Sequence, residues 1–198
     1  MTGLVSATRS VLHFEKLILD VLSELKDRDA RVVHTDEHGT WIEIDGDGFP
    51  VMVAHLEESG DLGTSLVICR APAYDDAKVN AALYRWVATE GQRPSAIKTV
   101  LTPTVAELRS GITHIGADET KRKFGLVDQV WSVPTKNLTA ELLATGVALI
   151  ALSAAIARRY LDENGGGAPA FERLVAGGPG DWPSANDLFA MGADFLDQ

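Results

Sequence analysis

The residues of this chain with the right types for chemistry are few, and their spacing disperses them. His34 and His38 flank Thr35-Asp36-Glu37. On a helix, four-residue spacing would put two imidazoles on one face for a zinc ion. Here the segment reads as a strand followed by a turn, where that spacing does not converge, and the HExxH order that supplies a general base is missing. Asp45 and Asp47 in DGDG have the carboxylates of a calcium loop but neither its spacing nor its downstream bidentate Glu. A hairpin turn explains them, since Asp and Gly accept the positive φ that tight turns need. Cys69 sits beside Arg70, a cation that lowers a thiol pKa, but it lies in an apolar strand and reads as a packed residue. Thr64, Ser65, Ser95 and Ser132 lack the G-x-S-x-G elbow, and no phosphate-cradling glycine loop occurs. The expectation is therefore no catalytic, metal or cofactor site. An enzyme would have to assemble one from scattered groups such as His55, His114 and neighbouring acids.

The elements that would have to position such groups are easier to read. Val11, Phe14, Leu17, Ile18, Val21, Leu22 and Leu25 recur at three- and four-residue spacing, which predicts an amphipathic helix over about Ser10–Arg28. Arg31–Thr35, Thr40–Asp45, Phe49–Leu56 and Thr64–Ala71 read as strands linked by turns, an antiparallel meander. Pro72–Asp76 reads as the start of a second helix whose apolar stripe is Val79, Leu83, Trp86 and Val87, stopped by Gly91 and Pro94. Ala96–Leu101 and Val127–Val133 are predicted strands. Between them, TVAELRS reads as a helical turn, ITHIG as a strand and DETKRK as a solvated loop.

The strongest architectural signal follows. From Leu142 to Ala157 no charge appears, and Ala144, Gly146, Ala148, Ala151, Ala154, Ala155 and Ala157 keep the surface small. Glu141 near the start and Arg158-Arg159 near the end suit a helix macrodipole. Sixteen uncharged residues fall short of the roughly 20 that span a bilayer. They are too apolar for a solvated helix, so burial against a sheet, a second subunit, or both is expected.

The order helix, meander, helix, strands, long helix, tail reads as α+β: a curved antiparallel sheet with an N-terminal, a middle and a long C-terminal helix packed on it. Residues 1–163 form that domain. Residues 164–198 read as a tail of short amphipathic segments on Gly/Pro linkers. From Glu163 onward there are six acids and one Arg. Formal charge over the 198 residues is −10, which argues against nucleic acid and anionic membranes as partners. A single cysteine excludes an intramolecular disulfide, and the N-terminus lacks a signal-peptide pattern, so a cytoplasmic location is expected.

Large aromatics anchor interfaces as well as cores. Trp41 and Trp131 on strands, and Trp182, Leu188, Phe189 and Phe195 in the tail, are the candidate partner-binding residues. Trp182, between Gly180-Asp181 and Pro183, is the hardest to place in a core.

The helix Val11–Leu25, the meander WIEIDGDGFPVMVAHL, the helix KVNAALYRWV and the closing run VDQVWSVPTKNLTAELL together resemble the YbjN branch of the type III secretion chaperone-like superfamily. The match covers about residues 8 to 163, and it is one of layout rather than of an invariant motif. It implies a small, acidic, commonly dimeric α+β protein that binds extended peptide segments and carries no catalytic residues. The reading is thus a non-catalytic chaperone or adaptor for an unidentified protein or peptide client, a homodimer without cofactor. A regulatory subunit docking through its acidic tail is the alternative, beside the assembled enzyme site.

Overall fold

A computed structural model describes residues 3–35, 39–46, 50–56, 65–91, 96–110, 112, 123–164 and 166–176. Helix α1 (Gly3–Glu24) starts a full two turns before the periodic stretch that betrays it. A 3₁₀ turn, Lys26–Arg28, leads through Asp29 at φ 46° into the sheet.

Strands β1 (Arg31–Thr35), β2 (Thr40–Glu43), β3 (Val51–Leu56) and β4 (Leu66–Lys78) form the expected meander, each antiparallel to the next. Asp45 and Gly46, at φ 57° and 63°, begin the turn between β2 and β3; the left-handed backbone there explains the Asp-Gly pair. Strand β6 (Phe124–Pro134) pairs with β4 and carries β5 (Lys98–Thr102) on its far side. The order β1-β2-β3-β4-β6-β5 is open, and the fold is α+β as the sequence predicts.

One expectation fails. Pro72–Asp76 does not open a helix: β4 runs on to Lys78, and α2 (Ala81–Gly91) begins only after Asn80, whose side chain accepts the Leu83 amide at 2.9 Å. Two register shifts, between Pro72 and Tyr74 and between Tyr74 and Ala77, let a proline and a positive-φ Asp76 sit inside a central strand. Bulges are where a sheet tolerates both. The predicted ITHIG strand lies outside the described residues apart from Ile112.

Helix α4 (Ala140–Glu163), capped by Thr139 through the Leu142 amide, packs over β4 and β6, with α1 against it. Residues of α1, α4 and α2 join the inward side chains of β2, β3, β4 and β6 in the larger core, around Ile42, Val53, Val67, Cys69, Val127 and Leu143. Gly146 lies on the ring of Trp131, and a Cβ there would overlap it. That glycine lets a central helix turn lie flat on an indole.

Alternate residues face the other side of the sheet. There a second core forms from Trp41, Met52, Ala54 and Leu126 with Val105 and Leu108 of α3 (Val105–Arg109). Its remaining members come from beyond residue 163. Strand β7 (Ala168–Pro169) pairs with β4, and α5 (Ala170–Val175) contributes Ala170 and Leu174. Residues 166–176, placed in the tail by composition, therefore lie on the sheet.

A candidate peptide-binding surface on the second sheet face

The second face is built by strand parity. Trp41 lies opposite Met52, and Met52 opposite Arg70, so one stripe crosses β2, β3 and β4. Val130 faces Arg70 across the β4–β6 ladder, and Asp128 is two residues along the same side. The Arg70 guanidinium and the Asp128 carboxylate form an ion pair with 3% and 1% of their side-chain surfaces exposed. Burial pushes the Asp128 carboxyl above its usual range, and the neighbouring Arg70 pulls it back down.

The chain's own segment 166–176 lies along this face. The Gly166 amide donates to the Leu161 carbonyl at 2.6 Å, turning the backbone off the end of α4. Gly167 then passes so close to the Asp75 carbonyl that a Cβ would overlap it. Ala168 and Pro169 pair with Asp75 and Tyr74, where β4 has run past the last β3 partner at Arg70. Next, α5 drops Leu174 and Ala170 onto Met52, Ala54, Leu126, Val105 and Leu108. The Phe171 ring lies 5.2 Å from that of Trp41, tilted by 58°.

Charge fixes the end of the segment. Arg173 donates to Asp75 at 3.1 Å and to Asp76, and both carboxylates raise its pKa, Asp76 the more. Asp75, buried, also accepts the Val105 amide at 2.9 Å, so one carboxylate ties β4, α3 and α5 together. Arg109 of α3 donates to the Arg173 carbonyl. Helix α3 itself is only five residues long, held by a capping box in which Thr104 accepts the Glu107 amide and Glu107 accepts the Thr104 amide at 2.8 Å.

The candidate residues separate. Trp41, 1% exposed, belongs to this surface and packs at a tilt against Phe171 of the segment that covers it. Trp131, 8% exposed, points to the opposite face, beneath Gly146. The two rings thus serve different cores. Trp182, Leu188, Phe189 and Phe195 lie outside the described residues. Asp75, Arg173 and the Arg70–Asp128 pair escaped the sequence reading. The T-x-x-E signature at Thr104–Glu107 was the one local signal pointing to this corner.

Among the described residues no group of three His, Cys, Asp or Glu side chains is placed to hold a metal ion. His55 stacks on Phe14, with centroids 5.7 Å apart. Cys69 is fully buried, and desolvation raises its thiol pKa, the direction opposite to a nucleophile's needs. What the second face does hold is a short stretch of backbone in strand geometry followed by one and a half turns of helix. No protein-family model matches the chain, and no curated protein matches it.

Proposed function

We propose that the chain is a peptide-binding module of the cytoplasm, a chaperone or adaptor that holds a segment of another protein without transforming it. The observation that carries this reading is the seating of residues 168–175. A two-residue β pairing, an aromatic on Trp41, an apolar side chain in the cluster of Met52 and Leu126 and an Arg on paired aspartates together read backbone and side chains at once. Those are the components of β-addition and helix-in-groove recognition. The client segment implied is short, with small, aromatic and aliphatic side chains at positions matching Ala170, Phe171 and Leu174, and a basic group matching Arg173.

The resident segment stands in for such a client because its own hold is modest. Two buried aliphatic side chains and a half-buried ring contribute roughly 5 kcal/mol at about 25 cal/mol per Å². The test uses a chain ending at Asn164 and a synthetic peptide of residues 164–178, which contains no tryptophan. Saturable binding at micromolar concentration, read as a change in tryptophan emission that is absent from the Trp41→Phe chain and lost on Leu174→Asp in the peptide, supports the reading. A truncated chain that keeps its native far-UV spectrum but shows no saturable binding rejects it.

A further inference from the structure

Helix α4 is apolar on two sides. Leu143, Val147, Ile150, Ala154, Ala157 and Leu161 face the sheet and are buried. On the opposite side Leu142, Leu149, Leu152 and Ile156 stand 40%, 50%, 57% and 51% exposed. Their spacings of seven, three and four residues form one stripe along the helix, the seam of a helix pair. No Asp, Glu, Lys or Arg interrupts it from Leu142 to Ala157. A helix with one face on its own core normally carries charge on the other, and a continuous apolar stripe in water marks an interaction surface.

We propose that this stripe is occupied by the same stripe of a second copy, the two α4 helices running antiparallel about a two-fold axis at Leu149. Leu142 and Ile156 are each seven residues from Leu149, so the axis sets Leu142 against Ile156 of the partner subunit and Leu149 against itself. The charges agree with that direction. Glu141 and Arg159 are eighteen residues apart, five full helical turns, so both lie on the same flank of the seam. Antiparallel pairing brings like flanks together and places Glu141 beside Arg159 of the partner subunit; parallel pairing brings unlike flanks together and leaves Glu141 and Arg159 on opposite sides of the seam from their counterparts. Arg159 is free to turn, because its exposed bond to Glu163 at 3.4 Å is an i,i+4 pair of little worth. Leu19 of α1, 66% exposed on the helix packed beside α4, adds apolar surface on the same layer. The stripe and the peptide surface lie on opposite sides of the sheet, so this interface stands independently of the peptide reading.

Alone among the described residues, α4 is also long and apolar enough to cross a membrane by length and composition, with 44% of its most apolar window buried inside the chain. The experiment separates these occupants. Light scattering of the full chain should give twice the monomer mass, and Leu149→Glu should weaken self-association about a hundredfold with an unchanged far-UV spectrum. Because Cys69 is buried, an introduced cysteine is the reactive thiol in the folded chain. Leu149→Cys should form an intermolecular disulfide under mild oxidation. Leu142→Cys alone should not, its two copies lying about 21 Å apart along the pair at 1.5 Å per residue, whereas a mixture of Leu142→Cys and Ile156→Cys chains should. A monomeric wild type, a dimer untouched by Leu149→Glu, efficient self-crosslinking of Leu142→Cys, or co-sedimentation of the wild type with neutral phosphatidylcholine vesicles would each overturn the proposal.

Discussion

The two faces of the sheet are covered by different means. On the first, a 24-residue helix and its neighbour α1 bury aliphatic side chains against four strands, and the polar groups are few and paired locally, such as Ser153 and Thr99 on the Gln129 side-chain oxygen. On the second, a five-residue and a six-residue helix cover a smaller apolar area that surrounds a buried Arg70–Asp128 pair and leans on Arg173–Asp75. Short helices have little stability of their own. The first cover is therefore part of the folding unit, and the second is a docked segment held by a few side chains. The difference teaches that one sheet can carry a long helix built into its core on one side and short helices held by a few side chains on the other.

The comparison breaks first at the buried ion pair. Asp128→Ala leaves Arg70 charged and enclosed, so a loss of about 4 kcal/mol is expected, seen in the urea midpoint. Replacing both residues by apolar ones, Arg70→Met with Asp128→Leu, should restore most of it. If the single change costs little, the pair is not holding the second face together. Next in size is Gly146→Val, which forces a side chain into the Trp131 ring; a loss of about 3 kcal/mol is expected, with an altered near-UV spectrum.

Smaller effects sharpen the contrast instead of testing the whole fold. Leu174→Ala should free roughly 2 kcal/mol of local hold. That change should appear as faster amide exchange in 168–175 while α4 remains as protected as before. Tyr74→Phe removes the hydroxyl that donates to Asp162, a loss of about 1 kcal/mol at neutral pH. Burial, and then Asp162, raise the Tyr74 pKa, so the folded state favours the protonated phenol. This contribution is complete below the ordinary tyrosine pKa and disappears as pH rises through the raised one. Wild type and Tyr74→Phe should therefore converge in stability at strongly alkaline pH, and a gap that widens there would contradict the assignment.

Long periodic elements were legible from residues alone. The apolar spacing of α1, the uncharged run of α4 and the Asp45-Gly46 turn each reflect a local rule that the fold obeys. Strand β4 past Pro72 was not legible, because helix-start chemistry in Pro72-Ala73-Tyr74-Asp75-Asp76 was overridden by pairing with β6, a long-range ladder that no local window contains. The second face was legible least. Its members come from β2, β3, β6, α3 and a glycine-linked segment over a hundred residues from Trp41, and their association depends on strand parity and register. Composition assigned that segment to a tail because six residues of helix carry almost no periodic signal.

The difference between the covers is tested most directly by amide hydrogen exchange of the full native chain, read residue by residue. Exchange in α4 from Leu143 to Ala157 should require global unfolding and follow the denaturant dependence of the whole molecule. Amides of Arg173 to Val175, and that of Ala168 in β7, should exchange through a smaller opening, several kcal/mol below the global value and nearly independent of denaturant. Equal protection and equal denaturant dependence in the two regions would mean that the second cover is as permanent as the first, and the account of a replaceable internal segment would be wrong.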